Sequence, residues 1–414
     1  MTKSLTRKNA IYLSSAIASM ILIGIAWWYS PPNASTRYER MSLLDLRNHL
    51  DSAPKDATGW HVFALRLAHD GDAGLAESAL RQALELNPKD PEAATALAEL
   101  LISTARYPEA SQWLKQTIGN RPQYIPAHRA LGLLYRKRGS YAHAIEEFQT
   151  VLKADEKDGD IWYQSAHCYW NMQQVANTQN ALKKALQAEP DNPAYLTLSG
   201  NVQAAVGNLQ PGIAQITRAV ALAPTNLTAH ESLVTLLIQH GSGNEDMTKI
   251  ELSLKKIALL KPNYPLLPYF NGQLEAKRGN WLAAIPYLEE SVTQTPSYDA
   301  AYLALSQAYR RVKRTAEADK MQQTYEMRQT TQKAIDDIKE ELGRRPKDVK
   351  LLLKLGDLLY RRGDYSEALT NLETANTLEP NSAQILQHIE TLKKLTAKTQ
   401  ASQKTTDFNR SRNQ

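Results

Sequence analysis

Residues 125–158 read IPAHRALGLLYRKRGSYAHAIEEFQTVLKADEKD, and the spacing of their apolar side chains decides the fold. Leu131, Gly132 and Tyr135 fall on one stripe of a first helix, and Ala144 and Phe148 on one stripe of a second. Apolar residues recurring at three and four places give each helix a single face to bury. The small residues mark where the two backbones cross closely. Upstream, residues 57–90 repeat the arrangement with Trp60, Phe63, Ala64 and Leu67, then Ala76, Leu80 and Ala83, closed by Pro88. A helical hairpin of this kind cannot cover its own apolar face alone, so it must stack on further copies.

Proline counts the copies. Pro88, Pro122, Pro190, Pro224, Pro262, Pro296, Pro346 and Pro380 stand 34, 68, 34, 38, 34, 50 and 34 residues apart. This period, with the side chains between the prolines, resembles the tetratricopeptide repeat (TPR) family and its W-x2-L-G-x2-Y, A-x3-F and P pattern. The resemblance covers about residues 41–398. It implies an all-α fold, a TPR superhelix (an α-solenoid of antiparallel helix hairpins) whose concave surface takes protein or peptide partners. In register, units begin near Ala57, Pro91, Ile125, Gly159, Pro193, Leu227, Pro265, Asp299 and Val349, about nine in all, with the sixth enlarged around Gly241 to Asn244. Residues 41–56 read as a half-repeat helix, 57–348 as repeats 1–8, and 349–398 as repeat 9 with a capping helix. The 50-residue gap before Pro346 predicts an extended helix over 315–343, either continuous or broken near Thr330, and a pivot for the last block.

The two ends read differently from the repeats. Asn9 to Thr36 holds no charged side chain, and residues 10–29 are almost wholly apolar, the length a helix needs to cross a bilayer. Trp27, Trp28 and Tyr29 suit the headgroup boundary, and Pro31 and Pro32 end the helix. Lys3, Arg7 and Lys8 keep residues 1–9 in the cytoplasm by the positive-inside bias. The expectation is therefore a single-pass inner-membrane anchor over 10–29, a linker over 30–40, and the repeats in the periplasm. A cleaved signal peptide fits less well, because no A-x-A site follows the aromatic cluster. Residues 399–414 are polar and aperiodic and read as a disordered tail.

Composition excludes several classes of function. The 49 basic and 43 acidic residues give a net charge of +6, part of it in the termini, and charges are mixed along every segment, which argues against nucleic acid as a partner. The single cysteine, Cys168, builds no disulfide, CxxC pair or zinc ribbon. No G-x-S-x-G, H-E-x-x-H, Walker A or G-x-G-x-x-G motif is present, so neither an enzyme, a cofactor nor a small-molecule substrate is expected. Histidines such as His61 and His69, or His230 and His240, lack metal-ligand spacing and read as solvated or capping residues. Basic clusters at Arg136 to Arg138, Lys277 and Arg278, Arg310 to Arg314, and Arg361 and Arg362 fall at first-helix C-termini, where cations complement the helix dipole.

In TPR proteins the second, fifth, ninth, twelfth and thirteenth residues of each first helix face the groove. Carried onto this sequence, the resemblance singles out Arg129, Arg136, Lys137, Tyr163, His167, Trp170, Asn171 and Asn201, residue types that binding hot spots favour. Trp170 and Tyr163 are expected to clamp an extended peptide, with Arg129 or Asn201 fixing its backbone or a carboxylate. The alternative is that Trp170 packs against the neighbouring hairpin. Some TPR adaptors seize a C-terminal carboxylate with Lys and Asn, but the matching positions here, His61, Thr95 and Glu99, do not reproduce that clamp. The run from Leu43 through Asp56, Gly59 and Trp60 to Pro88 is similar to the repeat domains of cytochrome c maturation factors, which hold unfolded apoprotein. Two functions are thus expected: a scaffold for an envelope assembly, or a periplasmic client binder of the apocytochrome c, secretion or pilus-biogenesis type.

Overall fold

The computed structural model describes Tyr38, residues 41–380 and residues 382–394 except 384. The expected anchor at 10–29 and tail at 399–414 lie outside the described residues, as do 395–398 of the expected cap. Among the described residues every regular element is a helix, and none of those helices is long and apolar enough to cross a membrane.

The chain divides into two compact units, with the boundary between Ala229 and His230. The first begins with α1 (Leu43–Ser52) and continues in five hairpins: α2 (Ala57–His69) with α3 (Ala73–Leu86), α4 (Pro91–Ser103) with α5 (Tyr107–Asn120), α6 (Ile125–Lys137) with α7 (Tyr141–Ala154), α8 (Gly159–Asn171) with α9 (Val175–Ala188), and α10 (Pro193–Ala205) with α11 (Leu209–Leu222). The boundary falls inside α12 (Leu227–His240). The second unit then runs through α13 (Gly243–Leu260), α14 (Leu267–Lys277), α15 (Trp281–Gln294), α16 (Asp299–Arg311), α17 (Thr315–Arg344), α18 (Val349–Arg362) and α19 (Tyr365–Leu378), ending in a helix over 385–394.

Local chemistry sets where these helices start. Asp56, Asp90, Asp158, Asn192 and Asp348 precede first helices, and each side chain accepts a backbone N–H of the first turn, satisfying donors the helix leaves orphaned. Second helices start without a side-chain cap and rely on the preceding turn. There the N–H of Ser140 donates to Tyr135 O at 2.9 Å across Gly139, whose φ of +75° L side chains rarely adopt. Ala105, Gln173 and Lys313 occupy the equivalent place with φ of 61°, 58° and 65° and carry the strain that glycine avoids.

Packing follows the opening stretch. Phe148 is fully buried against Gly132, where an added Cβ would stand 2.6 Å from the ring. In the first unit the first helices α2, α4, α6 and α8 neighbour one another in sequence order and present one face in common. The segment 315–344 is one helix of 30 residues. Its N-terminal part joins the core of Ala284, Leu288, Leu305 and Ala308 through Ala318 and Met321, and its C-terminal part joins the core of Leu352, Leu355, Leu372 and Ile385 through Ile335 and Ile338.

His61, His128 and His230 are buried, with 8%, 8% and 5% exposure, and are not solvated residues. They occupy the fourth or fifth position of a first helix, where His128 bridges Glu147 Oε2 and Pro122 O at 2.5 and 3.0 Å. At His128 the ring thus packs as an apolar body while its two nitrogens bond locally.

Candidate functional site

The face shared by α6, α8 and α10 carries the residues the sequence singled out, and the structure sorts them into three roles. Arg129, on α6, bonds Asp158, the N-cap of α8, and reaches Asp160 Oδ2 at 3.1 Å. One guanidinium thereby joins one hairpin to the next and is engaged within the protein. Asn171 is likewise engaged, because its amide donates to His167 O at 2.8 Å on its own helix. Lys137 is exposed, with its ammonium 5.6 Å from the centre of the Tyr107 ring.

Arg136, Tyr163 and His167 come together. His167 meets the edge of Tyr163 at 4.7 Å, and Tyr163 lies against Tyr195 of α10 at 5.0 Å. Arg136 is half-buried in the last turn of α6 and its Nε has no hydrogen-bond partner. Burial, reinforced by the Arg136 charge, pushes the His167 imidazole down to about 4, so it is neutral near pH 7. Burial raises the Tyr163 phenol above its usual range, so it stays protonated. The cluster therefore offers a phenol and a neutral imidazole on an aromatic wall, with the guanidinium of Arg136 beside it and its buried Nε unpaired.

Trp170 turns toward the interior. It is partly buried against Ala166, Ala181, Leu182 and Val202, the last on the neighbouring hairpin. Asn201 is half-buried on α10. Cys168 is fully buried, and burial pushes its thiol up to about 11, far from thiolate reactivity at neutral pH. Among the described residues no group of three or more His, Cys, Asp or Glu side chains is placed to hold a metal ion. The arrangement can recognise a partner by stacking and hydrogen bonding.

One part of the face escaped sequence reasoning. Thr95 and Glu99 of α4 occupy the same helical positions as Tyr163 and His167 of α8. Burial pushes the Glu99 carboxyl up to about 7, against which the charge of Arg129 acts. Their failure to match a carboxylate clamp was the only available signal, and its meaning depends on side-chain surroundings that one sequence does not display.

Comparison with known proteins gives these helices a family context. The family model described as the cytochrome c-type biogenesis protein H TPR domain matches residues 33–160. General tetratricopeptide repeat models match 135–202, 271–330 and 325–381. The general transcriptional corepressor ssn6 of Schizosaccharomyces pombe is 31% identical over 81 residues, 19% of this chain and 7% of that protein. The antiviral innate immune response effector IFIT1 of Homo sapiens is 22% identical over 229 residues, 55% of this chain and 44% of that one. The chain thus spans less than half the length of either relative. A solved tetratricopeptide repeat protein from Parabacteroides merdae is 14% identical, covers 61% of this chain and 98% of its own, and superposes with a TM-score of 0.47.

Proposed function

Because the chain is a tetratricopeptide repeat scaffold for protein–protein interaction, we propose that its N-terminal repeats hold an extended segment of an unfolded client, an apocytochrome c. The reading places this activity at the periplasmic face of the inner membrane, tethered by residues 10–29. The observation that supports it best is the family match over 33–160, which takes in α1 to α7 and runs up to the aromatic wall of α8. On that wall the stack of His167, Tyr163 and Tyr195 suits aromatic or amide groups of an extended chain, and Arg136 supplies a donor for a backbone carbonyl or carboxylate.

The test is retention of a haem-free c-type apocytochrome, against its folded haem-bound form, by the full chain in detergent micelles. The apoprotein is expected to be retained and the folded form released. Tyr163→Ala with His167→Ala should lower retention at least tenfold, the order of two lost ring contacts on the wall. Equal retention of both forms would refute the client reading, and unchanged retention by the double variant would refute the site. A reporter fused after Gln414 tests topology, and activity in the cytoplasm would refute the periplasmic placement.

A further inference from the structure

On α4, one repeat before Arg129 and two before the aromatic wall, two polar side chains face the shared surface without partners. Thr95 is 5% exposed and its hydroxyl makes no hydrogen bond. A threonine in the same place on α10 behaves differently: Thr197 also lies four residues after a proline that opens its helix, and its hydroxyl donates to Pro193 O at 2.6 Å. Thr95 has the same option in Pro91 and does not take it. One turn further, Glu99 is half-buried and has neither a hydrogen bond nor an ion pair among the described residues. Side chains four apart on a helix share a face, so these orphan groups converge. A buried hydroxyl is ordinarily paired, so Thr95 beside a half-buried carboxylate with no bonded partner marks a place where a ligand group is missing.

The surrounding charge decides the sign of that partner. Arg129, the cation whose field reaches Glu99, is already bonded to Asp158 and Asp160. Asp90, Glu92 and Glu99 together act on the hydroxyl of Tyr124, opposed there by Arg121 alone. His61 of α2, the nearby titratable group from the preceding hairpin, is held neutral by burial and carries no compensating charge. Glu92 is itself pushed up by burial and by Asp90. The patch is acidic, exposed at Glu92, half-buried at Asp90 and Glu99, and holds one buried hydroxyl without a partner.

We propose that Thr95 and Glu99 form the receiving site for a cationic side chain, a lysine or arginine, of an extended polypeptide lying along the first helices. The inference deepens the client-holding function and rests on it only in taking an extended polypeptide as the ligand. The carboxylate accepts the charged donor, and Thr95 accepts a second N–H or orients the first. Charge-assisted bonds of this kind are strongest where water is excluded. Carboxylate clamps that TPR adaptors build from Lys and Asn read an anion, whereas this pair reads a cation. Since the Glu99 carboxyl gives up its proton near pH 7, a bound cation draws that proton off, and binding tightens as pH rises from 6 to 8.

The test uses the full chain in zwitterionic nanodiscs at 150 mM salt, conditions that suppress exposed-charge attraction, read by fluorescence anisotropy. The probe is a labelled, unstructured Gly/Ser-rich peptide carrying arginines, compared with the same peptide bearing citrulline, which keeps the shape and loses the charge. The arginine peptide is expected to bind on the order of tenfold tighter at pH 8, with the preference shrinking several-fold at pH 6 as Glu99 takes up its proton. Glu99→Gln should abolish both the preference and its pH dependence. Thr95→Val should weaken the arginine peptide about tenfold, the worth of one hydrogen bond from a charged donor. Glu290→Gln, on an exposed face of α15, should change neither. Equal binding of the two peptides, or a preference that survives Glu99→Gln, would overturn the proposal. If the arginine preference depends on Glu99 while apocytochrome is not retained, the client reading fails and the cation site stands. If apocytochrome is retained and Glu99→Gln changes nothing, the reverse holds.

Discussion

Glu99 and His167 lie on first helices of the same unit, and burial displaces them in opposite directions, so removing either one should unmask the other in the pH dependence of stability. The Glu99 carboxyl is raised from 4.5 to about 7, so between those values the folded state holds a proton that the unfolded chain has lost. Stability therefore falls as pH rises through this window, by about 3 kcal/mol in total. The His167 imidazole is lowered from 6.5 to about 4, so between those values the unfolded chain holds a proton that the folded state refuses. Stability therefore rises with pH through that window, again by about 3 kcal/mol. From about pH 4.5 to 6.5 the two slopes cancel. Glu99→Gln should match the wild type near pH 4.5 and exceed it by about 3 kcal/mol above pH 7, since glutamine keeps the shape and cannot ionise. His167→Gln loses the edge contact with Tyr163 at every pH, and relative to wild type it should regain about 3 kcal/mol as pH falls from 6.5 to 4. Urea midpoints followed by far-UV circular dichroism at pH 4.5, 5.5, 6.5 and 7.5 provide the comparison, taken as differences so that other titrating groups drop out. A Glu99→Gln curve parallel to wild type would mean the carboxyl is solvated or paired, and the reasoning would fail.

Three further outcomes follow from packing and backbone conformation. Gln173→Gly, at the α8–α9 turn with φ of 58°, should stabilise the first unit by about 1 kcal/mol in the same urea assay. Gly200→Ala should destabilise that unit by about 1–3 kcal/mol or more, because a Cβ there stands 2.5 Å from Ile216 Cγ1 and 2.7 Å from Gly212 O, and backbone cannot step aside. Arg328→Met should cost about 2 kcal/mol and raise hydrogen exchange in α16 to α18 while leaving α4 to α8 unchanged, because Asp299, whose Oδ1 lies 2.6 Å from Arg328 Nε, then keeps the Gln329 amide at 3.2 Å but no cation.

The helical hairpin class was legible because both halves of each contact lie within one repeat. Gly132 and Phe148 pack on one another inside 17 residues, so their spacing alone states the crossing. Groove chemistry was less legible because it depends on pairs a whole repeat apart. Arg129 reads as a ligand-binding cation until Asp158 and Asp160, 29 and 31 residues away, engage it. Trp170 reads equally as a clamp or a core residue until it packs against a core to which the next hairpin contributes Val202. Thr95 and Thr197 share position and preceding proline, and only their hydroxyls distinguish them.

The long helix α17 shows the same division within one element. A 50-residue proline spacing marked the stretch, and Met321, Ile335 and Ile338 marked its apolar contacts. The sequence did not disclose what spans the interval between its two cores. Between Ala318 and Ile335 the buried side chain of α17 is Arg328, 6% exposed. Its Nε meets Asp299 at the start of α16, its Nη2 donates to Arg362 O at the end of α18 at 3.1 Å, and its guanidinium lies 5.0 Å from the Tyr302 ring centre. An apolar residue there would add burial but no direction. A planar guanidinium with fixed donors specifies which carboxylate and which carbonyl it meets, at a desolvation cost that the ion pair and the ring contact offset. A charged residue in a helix otherwise rich in Gln, Lys and Glu reads as solvent-facing, so no periodicity argument finds it. Its consequence is that the two cores along α17 are joined by a buried polar contact, which salt screens little and which depends on the guanidinium being present.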